Sequence, residues 1–247
     1  MARQRRLKSE TGIYHVMLRG INRQQVFYDE DDYYMFLNVL SRCKTLCGFK
    51  LHAYCLMNNH IHLLIQEGEE TLANSLKRIG DMFVYWYNSS HNRSGAVFQG
   101  RYKSIPVNDD EYYISVLRYI HQNPVKAGIV KSCADYEFSS YNYYFKTSFV
   151  DTGFALELIG VNEFIRLHNE LCNDSHLDIE ESPTPKLSVV ESKRLFEQIT
   201  RCKSIAEFQN LPDEAKKKYV GLLKQNGVSV RQIVLLTGVS YRMASRK

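Results

Sequence analysis

Met57-Asn58-Asn59-His60-Ile61-His62-Leu63-Leu64-Ile65 sets two histidines around one apolar residue inside an apolar run. Side chains alternate faces along a β-strand. His60, His62 and Leu64 therefore share one face, and Ile61, Leu63 and Ile65 share the other. The aliphatic face can pack on a helix, which holds the two imidazoles side by side on the opposite face. Two neutral imidazoles pointing the same way are a reasonable pair of ligands for a divalent metal ion. Two ordinary half-buried strand histidines would give the same pattern, so the pair needs a third partner.

Working outward, strand patterns cover residues 13–19, 49–57, 60–66 and 103–108. Residues 30–47 predict a helix striped by Tyr33, Phe36, Leu37, Leu40 and Leu46, and residues 71–89 a second one capped by Thr71. This order suits an α+β fold, a ferredoxin-like antiparallel sheet with helices packed on one face. A third helix opens at Asn108 or Asp109, with acidic residues in its first turn and an Ile114, Leu117, Ile120 stripe. Pro124 disfavours a helical Asn123, so this helix is expected to end near Gln122. Tyr119 and Asn123 are four apart and share a helix face. A tyrosine beside a metal-binding carboxamide can act as a nucleophile on phosphorus polarised by a divalent ion. Tyrosine is also a common core residue, and this chain has 17. Tyr112 and Tyr113 are assigned no chemistry; His15 and His52 read as core or edge residues, and His121 as pointing away from Tyr119.

The order of motifs adds to this reading. His-Ile-His on a strand, followed by Tyr119-Ile-His-Gln-Asn-Pro-Val-Lys-Ala-Gly128 on a helix, resembles the single-tyrosine HUH transposases of the IS200-like superfamily, above all their REP-associated branch. Gly12–Gly20 resembles the family's first strand, with Asn22-Arg23 after it. Phe98-Gln99-Gly100-Arg101-Tyr102-Lys103-Ser104 and Tyr136-Glu137-Phe138-Ser139-Ser140-Tyr141 resemble two further signatures, and the likeness spans residues 10 to 145. The resemblance implies that His60, His62 and Asn123 bind a divalent metal, Mg²⁺ or Mn²⁺. It implies that Tyr119 attacks single-stranded DNA beside hairpin repeats, leaving a 5′-phosphotyrosine link and a free 3′-hydroxyl. Lys77, Arg78, Arg101, Lys103 and Arg118 are the cations expected near substrate, where phosphate contacts supply affinity and register.

Composition sets bounds on these readings. With 44% apolar and 24% charged residues in 247, the chain is of ordinary globular type, and no apolar run approaches the length of a membrane span. Six cysteines show no Cys-x-x-Cys pair, which predicts a reduced, cytoplasmic protein. The net charge of +5 is divided: residues 1–150 and 221–247 carry a basic surplus, residues 151–220 an acidic one. Three regions are expected: a catalytic domain (1–150), a helical extension with a Ser182-Pro183-Thr184-Pro185 linker (151–185), and a small all-helical C-terminal module (186–247). The module's end, Gly227–Arg242, reads as a helix-turn-helix with Ser229 and Ser240 as caps and Gly238 at the turn. Arg231 and Arg242 are its candidate contacts to duplex DNA. Monomer and homodimer both remain open. The competing readings are a catalytically idle DNA-binding protein or regulator of repeat elements, and a metal-dependent phosphoesterase that uses water.

Overall fold

The computed structural model describes residues 6–170, 189–202, 204–226, 228 and 230–245, with side chains for all of these except 189–191, 231, 242 and 245. The chain divides into two compact units, Met1–Ile179 and Glu180–Lys247.

The first unit opens with β1 (Ile13–Arg19), α1 (Glu30–Cys47), β2 (Lys50–Met57), β3 (His60–Gln66), α2 (Leu72–Ser90) and β4 (Lys103–Val107). The strands form one sheet in the order β2-β3-β1-β4, antiparallel throughout. The α+β class and the antiparallel sheet are those expected of the sequence. Asp29 caps α1 by accepting from the Asp32 N–H, and Gly48 ends it in the left-handed region at φ +68°. Thr71 caps α2 through the Asn74 N–H, as its sequence predicts. The helices pack on each other through residues such as Cys43 and Met82. Phe36, Leu40, Ile79 and Phe83 join the buried cluster that holds the sheet's aliphatic residues Val16, Leu63 and Ile65. Burial of this apolar surface supplies most of the drive to fold.

A further pair of helices completes the unit. α3 (Asp110–Lys126) lies over β2 and β3, and α4 (Gly153–Asn169) packs on α3. Asp109 caps α3, its carboxylate accepting from the Tyr112 N–H at 2.7 Å. The far end corrects the sequence expectation: the helix runs past Gln122 to Lys126, with Pro124 inside it. Pro124 has no N–H to offer the Ile120 carbonyl. The turn survives because the Ala127 N–H bonds to the Asn123 carbonyl and the Ile129 N–H to that of Pro124, each at 3.0 Å. Gly128, at φ +69°, then turns the chain out of the helix. Asn123 thus stays helical, one turn beyond Tyr119.

Two sequence signatures turn out to be edge fittings. Segment 97–99 is stitched to the end of β1 by the Gln99 N–H on the Arg19 carbonyl (2.7 Å) and the Ile21 N–H on that of Val97 (2.9 Å). Segment 136–141 lines the outer edge of β2: the Leu56 N–H bonds to the Phe138 carbonyl, the Tyr54 N–H to Ser140 Oγ, and the Tyr136 hydroxyl to the Leu56 carbonyl. An uncovered edge invites pairing with other chains; here the motif occupies it.

The second unit holds α5 (Val189–Thr200), α6 (Ile205–Gln209), α7 (Asp213–Gln225), α8 (Val230–Thr237) and α9 (Tyr241–Ser245). Phe196, Phe208, Val220, Leu223, Ile233 and Ala244 make its own core. Gly238, at φ +69°, forms the turn between α8 and α9, and the Ser240 hydroxyl accepts from the Met243 N–H. A Cβ at Gly238 would meet Ile205 at 2.8 Å, so the position needs glycine for space as well as for φ. The Ser182–Pro185 linker, Ser229 and the side chains of Arg231 and Arg242 lie outside the described residues. Among the described residues no helix is long and apolar enough to cross a membrane.

Candidate active site

Cross-strand partners in a sheet point to the same face, so the strand register defines the site. Arg19 pairs with His60, Met17 with both His62 and Lys103, and His15 with Leu64 and Ile105. One face of the sheet therefore presents His60, His62, His15, Arg19 and Lys103 together. α3 crosses this face. It brings the Tyr119 ring to 5.5 Å from that of His62 and 5.7 Å from that of His15, edge-on in each case. The His60 and His62 rings are 5.0 Å apart and nearly perpendicular. Tyr119 is 4% exposed and His62 1%, whereas His60 is half-buried. The open side of the site is therefore the His60 side.

Both histidines have their Nδ1 occupied. His60 Nδ1 lies 2.7 Å from the Asn59 side-chain oxygen, while the Asn59 amide nitrogen donates to the Arg23 carbonyl at 3.4 Å. That second bond orients the amide, so its oxygen accepts the His60 Nδ1 proton and Nε2 becomes the ring's acceptor nitrogen. His62 Nδ1 lies 3.0 Å from His15 Nε2. Burial pushes His15 down to about 3; it also holds His62 well below the ordinary histidine range, helped by neighbouring His15, His60 and Arg19. Both rings are neutral at physiological pH, the state a metal ligand requires. Among the described residues no cluster of three His, Cys, Asp or Glu side chains is placed to hold a metal ion. A third protein ligand here must be of another type, and the half-buried carboxamide of Asn123 follows Tyr119 by one turn. Two imidazole nitrogens and one carboxamide oxygen could serve a divalent ion that fills its remaining positions with waters.

The remaining expected residues spread more widely. Lys103 sits on the histidine face at the sheet's edge. Arg101 and Lys77 line a cavity of about 680 Å³ between α2 and segment 96–102, together with Arg6, Phe98 and Tyr102. Arg6 lies over the Tyr102 ring at 3.8 Å, and Lys77 is also paired with Asp81 at 2.6 Å. Arg78 is held by Glu70 at 2.7 Å, and Arg118 is tied to the Glu170 carbonyl after α4. Tyr113 is enclosed against His52 and Phe154, and burial raises its hydroxyl well above the usual tyrosine value. His121 faces the opposite way from the site, bonded to His168 (2.9 Å) and Ser140 (2.7 Å).

Sequence reasoning missed Arg19, Asn59 and Lys126. Arg19 could be found only from register. Lys126, seven residues after the tyrosine, places its ammonium 4.9 Å from the Tyr119 ring centre. Tyr85, 81% exposed, lines the cavity on α2, whereas its neighbour Tyr87 is fully buried.

Residues 8–123 match the family described as "Transposase IS200 like". The chain is 29% identical over 105 residues to a putative REP-associated tyrosine transposase of Haemophilus influenzae, covering 38% of this chain and 60% of that one. It is 25% identical over 138 residues to the REP-associated tyrosine transposase of Escherichia coli K12, covering 55% and 79%. The fold is similar to that of a REP-associated tyrosine transposase solved bound to a REP hairpin: TM-score 0.51, 20% identity, covering 61% of this chain and 94% of that one.

Proposed function

Because residues 8–123 match the IS200-like transposase family, we propose that this protein is a REP-associated type of tyrosine transposase. It cuts single-stranded DNA beside hairpin repeats and rejoins it, acting in the cytoplasm. The observation that carries the reading is the Tyr119 ring on α3 set edge-on against His62, which stands beside His60 on the sheet, both histidines having their Nδ1 atoms engaged. In that arrangement His60, His62 and the Asn123 carboxamide would hold Mg²⁺ or Mn²⁺, and such an ion would supply polarisation of the scissile phosphate.

DNA approaches from the half-buried His60 side. The Tyr119 oxygen attacks phosphorus, the P–O3′ bond breaks, and the phenolic proton ends on the departing 3′-oxygen. The product is a 5′-phosphotyrosine and a free 3′-hydroxyl. Attack by a different 3′-hydroxyl regenerates the tyrosine and joins new ends. Lys126, over the phenol ring, favours the negative charge that develops on its oxygen. Arg19 and Lys103 on the same face contact backbone phosphates, and the cavity lined by Arg101 and Lys77 receives flanking nucleotides.

The test is incubation with single-stranded hairpin oligonucleotides and Mn²⁺, followed by a denaturing gel. A covalent adduct should form with the native protein and vanish in Tyr119→Phe and His60→Ala. Cleavage that survives Tyr119→Phe would transfer the chemistry to water. A salt-sensitive shift without any adduct, dependent on residues 221–247, would instead identify a DNA-binding regulator.

A further inference from the structure

His15 reads in the sequence as a core residue, yet its contact with His62 constrains the chemistry of the metal site. The two rings meet through His15 Nε2 and His62 Nδ1 at 3.0 Å, and both are enclosed, 0% and 1% exposed. Two neutral imidazoles can share only one proton in that bond. In one arrangement His15 donates from Nε2, and His62 then carries its own proton on Nε2, where it blocks metal binding. In the other, His62 donates from Nδ1, its Nε2 keeps a bare lone pair, and His15 carries its proton on Nδ1.

Among the described residues His15 Nδ1 is buried without a hydrogen-bond partner. An orphaned buried N–H is rarer than an orphaned acceptor. Without a cation, the first arrangement is therefore the less costly one. A cation on His62 reverses the preference. Each ring then moves its proton from Nε2 to Nδ1, with no net proton released.

We propose that His15 is a positioning residue for the metal site, accepting the His62 Nδ1 proton so that His62 Nε2 can bind a divalent cation. The inference rests on the metal reading of His60 and His62. The site then has one ligand locked in its binding form by an amide, His60 through Asn59, and one that switches, His62 through His15.

Mn²⁺ binding to the full chain, followed by the EPR signal of the free ion, tests this. His15→Phe should weaken Mn²⁺ binding roughly 10- to 100-fold, and His15→Gln, whose side-chain oxygen can accept the same proton, should largely restore it. Independently, ¹⁵N NMR of the native protein should show the His62 proton on Nε2 without metal and on Nδ1 with saturating Mg²⁺. Unchanged Mn²⁺ affinity in His15→Phe, or a proton on His62 Nε2 at saturating Mg²⁺, would overturn the role of His15. Binding unaffected by His62→Ala would overturn the metal reading itself, and the role of His15 with it.

Discussion

At the scale of single residues, the site depends on side chains that hold other side chains. Lys126 is an example that can be isolated, because it touches the Tyr119 ring and is exposed otherwise. A cation over an aromatic face contributes about 0.5–2 kcal/mol, so Lys126→Met should slow adduct formation roughly two- to thirty-fold. Single-turnover cleavage gels would measure that rate, and Mn²⁺ affinity should be unchanged. A parallel loss of metal affinity would mean instead that the substitution disturbs α3. His60 and His62 were legible in the sequence because a period of two is local. The His15–His62 contact spans 47 residues and follows from strand pairing that no short window contains. Arg19 became a site residue for the same reason, through its register with His60.

At the scale of elements, the sequence placed β1, β3 and α1 at their observed limits and β2, β4 and α2 within a residue. Their signals are all local: alternation, Thr71 as a cap, Gly48 after the last turn. α3 shows where local reasoning stops. Pro124 is a strong local stop, but bonds to the Asn123 and Pro124 carbonyls sustain one more turn, and that turn keeps Asn123 on the same face as Tyr119. Position on this helix matters twice, because its N-terminal cap anchors the element that carries the proposed nucleophile. The Asp109 carboxylate accepts from the Tyr112 N–H and stands at the positive end of the helix dipole. Asp109→Ala should cost about 1 kcal/mol, or roughly 2–4 °C in melting temperature for a chain of this size. Calorimetry with Asp109→Asn as a control checks this, since asparagine caps nearly as well; equal losses in both variants would show that the charge, not the cap, is what stabilises α3.

At the scale of the whole molecule, the first unit buries several imidazoles that no metal reading uses. His121 and His168 form a chain from Ser140 to the Phe164 carbonyl, tying α3 to α4 and to the segment that covers β2. His168 Nδ1 faces a carbonyl and must donate, so its Nε2 accepts from His121 Nδ1 and His121 Nε2 accepts from the Ser140 hydroxyl. The two accepting atoms, His168 Nε2 and His121 Nε2, require neutral rings. Burial accordingly lowers His168 to about 4 and His121 well below the ordinary value, and it lowers His52 to about 4. In the unfolded chain these rings take up protons near pH 6.5. Between pH 6.5 and about 4 the unfolded state thus binds more protons than the folded one, and stability must fall as pH falls. Each such histidine contributes up to roughly 1.4 kcal/mol per pH unit over that window. Urea midpoints of the native protein should therefore drop steeply from pH 7 to pH 5. His168→Gln should lower the midpoint at pH 7, because the geometry of its bonds to His121 and to the Phe164 carbonyl is lost. It should also flatten the dependence below pH 6.5 by one histidine's share. An unflattened slope in that variant would show that His168 is not held neutral by the fold, and that acid acts on the carboxylates instead.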